Sequence, residues 1–317
     1  MAKYIIKRLL QGIVTLFIVS TLVFILMRAL PTDYFFTETQ LMKYTPEQKQ
    51  AALEAAGLTD PIVVQLKDYY VRVLQGDLGI SRRIQSGVPV TQLIGSKILV
   101  SMQLGIMALI LSLAAGTLIG FIQTLYKDKL GDHLGTAFTV CMTAVPGLVS
   151  FSLILILGTR LFHLPTLYSA RTQPVLSVIM PVICLSLAPT ASYALWSRRY
   201  MVDELNKDYV QLALGKGQST KQVIFKHVLK NAFVPLVQYL PASILETLGG
   251  SLLVERFFSI PGMGPLLSDA IQKYDVDVVQ TLVILYAALG ILGVMFGDIL
   301  MTVIDPRISL AKEGEKR

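Results

Sequence analysis

The chain has 317 residues, 53% of them hydrophobic and only 15% charged, with a mean hydropathy of +0.61. That balance is too apolar for a soluble protein with an ordinary polar surface, so the chain belongs in lipid. The net charge of +7 collects between apolar runs and is explained by membrane topology, so it points to no nucleic-acid partner.

In chain order, Lys3, Lys7 and Arg8 lead into an uncharged run from Leu9 to Met27, long enough for a span of about 20 apolar residues. The run exceeds a signal-peptide core, and no small-x-small site follows before Arg28 and Pro31, so its retention is expected. Pro31 to Lys97 is the one sizeable polar region. Thr45-Pro46-Glu47-Gln48 starts a helix that Gly57 stops, and Pro61 to Leu74 has helical spacing with Val63, Leu66, Tyr70 and Val71 on one apolar face. Further uncharged runs follow at Ile98 to Tyr126, Leu134 to Thr159, Thr172 to Ser197 and Val278 to Gly297, and Asn231 to Val254 is broken only by Glu246.

The expected fold is therefore all-α and polytopic. Residues 1–30 hold the first of six transmembrane helices, 31–97 a small helical extracytoplasmic region, 98–304 a five-helix core and 305–317 a tail. Six spans place both termini on one side. Basic residues flank that side: Lys127 and Lys129, seven from Arg198 to Lys230, and Arg307, Lys312, Lys316 and Arg317; the opposite short loops hold Arg160, Arg171, Arg256 and Lys273. Both ends are therefore expected in the cytoplasm. Gly116 with Gly120 and Gly293 with Gly297 have the small-xxx-small spacing of close helix packing. Cys141 and Cys184 fall in separate spans and are read as packing residues. Pro146 with Gly147, then Pro181, Pro189, Pro235 and Pro241, can break their helices.

The polar run from Arg198 to Lys230 has an internal order that composition does not require. Gly215 and Gly217 can take the positive φ that ends a helix and reverses the chain. Ser219 with Gln222 has the spacing of a reciprocal helix cap. Leu212, Val223, Ile224 and Val228 supply apolar contacts. The run reads as a short helix, a glycine break and a second helix from Ser219, a shape suited to docking.

From Asp208-Tyr209-Val210 through Gly215-Lys216-Gly217-Gln218-Ser219 to His227-Val228-Leu229-Lys230-Asn231-Ala232 and Pro235, this run resembles the coupling loop of permease subunits of ATP-binding-cassette importers. The resemblance is to the dipeptide and oligopeptide form, and Gly217 occupies the position of the family glycine. Counted from it, Ala213 matches the Glu-Ala-Ala slot and Leu229 the closing one. Val254-Glu255-Arg256-Phe257-Phe258-Ser259-Ile260-Pro261-Gly262-Met263-Gly264 is similar to the segment that follows the fifth span in that family. Gly57-Leu58-Thr59-Asp60-Pro61, Gly76-Asp77-Leu78-Gly79-Ile80-Ser81 and Ile304-Asp305-Pro306-Arg307-Ile308 carry it along nearly the whole chain. One departure is Leu30-Pro31-Thr32-Asp33-Tyr34, where the family has Leu-Pro-Gly-Asp-Pro. Glu54-Ala55-Ala56-Gly57 spells the coupling letters with the wrong glycine spacing and on the wrong side.

The resemblance implies a type I importer permease that takes up short peptides from an extracytoplasmic solute-binding protein. It also implies ATPase subunits docked on residues 207–227, contacted through Asp208, Tyr209, Ala213, Gly215, Lys216, Gly217, Ser219 and His227, and a second, homologous permease subunit. ATP and Mg would be used by the ATPase subunits, with no cofactor or metal held by this chain. The same machinery carrying nickel complexes, glutathione or oligosaccharides is the alternative. The region from Pro31 to Lys97 is either the approach for the binding protein or a cover over the outer mouth.

No catalytic arrangement is visible. Gly215-Lys216-Gly217 lacks phosphate-loop spacing, and His133, His163 and His227 lie in separate loops without a second ligand at metal spacing. His227 is read as a docking or structural residue, and the chain as a transporter component rather than an enzyme. An ion-coupled transporter would be expected to show internal repeats, and none is evident. Glu246 carries two readings: a cavity carboxylate for the cationic end of a substrate, or an interfacial residue bonded to a hydroxyl or hydrated. Asp298 reads as an interfacial or helix-pairing charge.

Overall fold

The computed structural model describes residues 2–304. The expected tail 305–317, with Asp305, Pro306 and its basic residues, lies outside the described residues. The first span is α1, Ala2–Arg28. The polar region after it holds α2 (Glu38–Lys43), α3 (Pro46–Ala55) and α4 (Ile62–Leu74). α3 starts and stops where the sequence predicts: Thr45 and Gln48 form a reciprocal cap at its start, and Gly57 takes φ +66° where the chain turns after it. The face of α4 is different from the expected one. Tyr69 is buried and Tyr70 bonds the hydroxyls of Ser20 and Thr21 of α1, each at 2.7 Å, while Val63 and Val71 are exposed. Docking on α1 selects the tyrosine edge, whose hydroxyl finds a partner inside the span.

A short antiparallel pair, β1 (Ile80–Ser81) and β2 (Val88–Pro89), precedes α5, Val90–Leu125. This helix starts at Val90, upstream of the expected limits of both its span and its domain, with Pro89 as its N-cap residue at φ −57°, ψ 137°. The next span is bent. α6 (Leu130–Ala144) and α7 (Gly147–Phe162) meet at 113°. Pro146 drives its predecessor out of helical geometry, and Val145 sits at ψ 128°.

α8, Leu176–Leu205, passes through Pro181 and Pro189 without interruption. These prolines do not break it, since neighbouring helices pack against it where single backbone bonds are lost. α9 (Asp208–Gly215), α10 (Thr220–Val223) and a π-helical turn at Ile224–Val228 lead into α11 (Leu229–Val237) and α12 (Leu240–Gly249). α13 (Leu252–Phe257) and α14 (Met263–Gln272) precede the last span, α15, Val276–Ile304. Among the described residues four helices are long and apolar enough to cross a membrane, and six crossings result if each bent pair counts as one.

Packing fixes their directions. A Cβ at Gly116 would lie 2.5 Å from Tyr193 Cβ and 2.7 Å from Thr190 O, and one at Gly120 would lie 2.6 Å from Ser197 Cβ, so α5 and α8 run in the same direction with backbones in near contact. Gly293 faces Ala242 and Gly297 faces Gln238, which sets α12 antiparallel to α15. Gly12 against Ile291 and Arg8 against Asp298 set α1 antiparallel to α15 as well. Asp298 is thus a helix-pairing charge, and Gln238 also donates to it at 3.2 Å. Cys184 is buried in the core with Leu104, Met180 and Phe258, whereas Cys141 is exposed.

Candidate coupling elbow and membrane cavity

The connection after α8 folds as a compact elbow. Asp208 lies in the first turn of α9, where a carboxylate opposes the helix dipole. The end of α9 is closed by two crossed bonds: Gly217 N–H donates to Leu214 O at 2.9 Å and Gln218 N–H to Ala213 O at 3.3 Å. That pattern requires a left-handed residue between them, and Gly217 has φ +84°. Gly215, by contrast, is an ordinary helical residue; only one of the two glycines turns the chain. Ser219 and Gln222 form the expected reciprocal cap, at 3.1 and 3.4 Å.

The elbow has its own core. Val210 and Ala213 of α9 pack with Met201, Val223, Val228 and Ala232, pinning it to the ends of α8 and α11. Tyr209 donates to Glu204 at 2.7 Å, Asn231 donates to both, and the His227 ring meets Tyr209 edge-to-face. Burial, and then the Glu204 carboxylate that accepts its proton, push the Tyr209 hydroxyl up to about 12. Tyr209, Ala213 and His227 therefore face inward and hold the elbow together. Asp208, Lys216, Gly217 and Ser219 lie on its exposed side. Leu212 joins them at 61% exposure instead of supplying an internal contact, and Phe225 is 69% exposed. Two large apolar side chains beside lysines form a surface suited to a protein partner.

Glu246 is separated from the elbow along the chain by all of α11. It is exposed on α12 and lines a cavity of about 300 Å³ between α5, α8 and α12. Hydroxyls of Ser101, Ser112, Tyr193, Ser243 and Thr247 line the same space. The geometry brings Glu246 into a cavity that also borders a second carboxylate, Glu255, which sequence reasoning passed over.

Glu255 is 1% exposed and accepts from Ser101 Oγ at 2.7 Å, Gly264 N at 3.0 Å and Ser251 N at 3.2 Å. Ser101 in turn accepts from Met263 N at 2.8 Å. The carboxylate ties α5 to both ends of the segment Ser251–Gly264, and added Cβ atoms at Gly250 and Gly262 would collide with it. In the sequence Glu255 is a single acid between Gly249-Gly250 and Gly262, a pattern that reads as a turn.

Asp275 plays a comparable part at the start of α15. It is fully buried and accepts from Ser81 Oγ at 2.7 Å, with the consecutive N–H groups of Arg82, Arg83 and Ile84 between 2.9 and 3.3 Å. Such a run of N–H groups is an anion nest. At the opposite end of the bundle, Arg198 makes a two-pronged pair with buried Asp132, both contacts 2.7 Å, clamping α6 to α8 about two turns before the elbow.

Residues 94–310 match the family described as binding-protein-dependent transport system inner membrane component, and residues 1–86 match the N-terminal family of such membrane components. The chain belongs to this family of importer permeases. A dipeptide transport system permease protein of Lactococcus lactis subsp. cremoris is 36% identical over 312 residues, covering 98% of this chain and 100% of the relative. Another of the same description from Bacillus subtilis is 30% identical over 318 residues, covering 99% and 100%. A glutathione transport system permease protein of Escherichia coli is 33% identical over 313 residues, covering 97% and 99%. The importer permease described here is thus a multi-pass, all-α membrane protein and a subunit of an ATP-binding-cassette transport system.

Proposed function

We propose that this permease subunit carries short peptides across the bacterial plasma membrane, with the elbow 207–227 gripped by separate ATPase subunits. The reading of substrate rests on the relatives: those named above are described as moving a dipeptide or glutathione, itself a tripeptide. The observation that carries the coupling role is the elbow's architecture. A loop that only joined two spans would need no internal core, no two-bond helix stop and no exposed Leu212 and Phe225.

ATP and Mg act in the ATPase subunits, and this chain performs no catalysis of its own. ATP can switch the pathway only through a partner whose contacts differ between the two states, so the movement enters through the elbow and passes to α8 and α11. A second, homologous permease completes the pathway, and an extracytoplasmic binding protein delivers substrate at the end that carries residues 31–97. Both termini and the elbow lie in the cytoplasm, in keeping with the lysines and arginines gathered there.

Glu246 serves the pathway by meeting the ammonium end of a peptide inside the hydroxyl-lined cavity. The test is transport by the reconstituted importer of neutral, cationic and N-acetylated peptides by wild type and Glu246→Gln. The variant should assemble and hydrolyse ATP normally and lose most of its preference for free, positively charged amino termini. An unchanged substrate profile overturns that role.

A further inference from the structure

A second cavity, of about 380 Å³, lies where α4, the start of α5 and the start of α15 meet, far along the chain from the elbow and distinct from the space beside Glu246. Its two halves differ in chemistry. At the end of the bundle that carries residues 31–89 it is bordered by Arg72, Asp77, Asp277 and Gln280; deeper along the span it is bordered by Ile94, Ile284, Leu285 and Ala288. From Asp277 to Ala288 the helix advances roughly 16 Å at 1.5 Å per residue, about half of a hydrocarbon core of some 30 Å.

The polar half contains buried polar atoms that make no hydrogen bond. Gln280 is 5% exposed, and its Nε2 makes no hydrogen bond. Asp277 Oδ2 accepts no hydrogen bond either, although Arg82 Nη2 stands 3.4 Å away. A buried amide donor without an acceptor is costly. The cavity thus presents donors in Arg72 and Gln280, acceptors in Asp77 and Asp277, and an apolar channel leading from them towards the membrane centre.

We infer that this cavity is a phospholipid site, taking a headgroup that carries both a phosphate and an ammonium, with one acyl chain along α15. The phosphate oxygens accept from Arg72 and Gln280, the ammonium sits between the two aspartates, and the chain covers Ile94, Ile284, Leu285 and Ala288. A short peptide shares the paired charges. It has no chain, however, to cover the apolar half formed by Ile94, Ile284, Leu285 and Ala288. The bound lipid would brace α4 against α5 and α15, as a wedge between the polar region and the bundle.

The full-length permease, purified from bilayers of equal phosphatidylethanolamine and phosphatidylglycerol and then stripped by mild detergent washing, is examined by native mass spectrometry. Wild type should keep one phospholipid, enriched at least fivefold in phosphatidylethanolamine. Ile284→Trp, which fills the apolar half, should lose it, and Arg72→Gln should retain lipid but lose the headgroup preference. Soluble glycerophosphoethanolamine and a dipeptide should fail to displace it, since neither supplies the acyl chain. Loss of all lipid from wild type, retention unaltered by both substitutions, or displacement by either soluble compound overturns the assignment. Arg72 is exposed, so Arg72→Gln still tests the assignment where Ile284→Trp fails to fold.

Discussion

Replacing each glycine of the elbow tests whether its shape, rather than its composition, transmits movement. Gly217 has φ +84°, donates to Leu214 O at 2.9 Å and has no neighbouring atom within 4 Å of a built Cβ, so the effect of a side chain there is purely conformational. Alanine in the left-handed region costs about 1–2 kcal/mol, a factor of roughly 5–30 in the population of the correct turn. Proline is more severe. It fixes φ near −65° and deletes the N–H, and it disfavours the helical geometry of Lys216 at φ −81°, ψ 8°. These effects together amount to about 3 kcal/mol or more.

Gly215 also has open space, but it is helical, so Gly215→Ala should be neutral or stabilise α9 by up to about 1 kcal/mol. The assay is ATP hydrolysis by the importer in liposomes, with and without loaded binding protein. Gly215→Ala should keep full stimulation, Gly217→Ala part of it and Gly217→Pro none, with all three inserted normally. Normal coupling in Gly217→Pro, or equal damage from Gly215→Ala, refutes the reasoning.

Glu255→Ala removes the acceptor for one hydroxyl and two N–H groups; at roughly 1–3 kcal/mol for each buried group left unpaired, thermal unfolding in detergent should move down by many degrees, and Glu255→Gln, which keeps an acceptor oxygen, by clearly less. Tyr209 has a raised hydroxyl pKa of about 12, so its contribution to holding the elbow is fully present below the unfolded value of about 10 and is lost as pH rises through 12. Limited proteolysis of the elbow should accelerate across pH 10–12 in wild type, and Tyr209→Phe should be cleaved faster at neutral pH with a flatter profile; identical profiles would show that the Glu204 contact contributes nothing.

The number and type of elements were legible because they follow from local physics. Long uncharged runs demand helices in lipid, Thr45 announces a helix start and Ser219 a reciprocal cap, and the small-xxx-small pairs mark close approaches that the fold places at Tyr193, Ser197, Ala242 and Gln238. Where one residue's own geometry decides, as Pro146 does for the 113° bend, the sequence also foretold the interruption. It could not say that Pro181 and Pro189 leave α8 intact, that Gly215 is helical or that Leu212 points outward, because those outcomes depend on what packs against each residue. The same holds for the buried carboxylates: Glu255 and Asp275 became visible as organising groups only when Ser101 and Ser81, more than 150 residues away in the chain, were brought to 2.7 Å from them. Helices in lipid are specified one span at a time by hydropathy and backbone hydrogen bonding, whereas the partners of a buried charge are fixed only when spans distant in sequence come together.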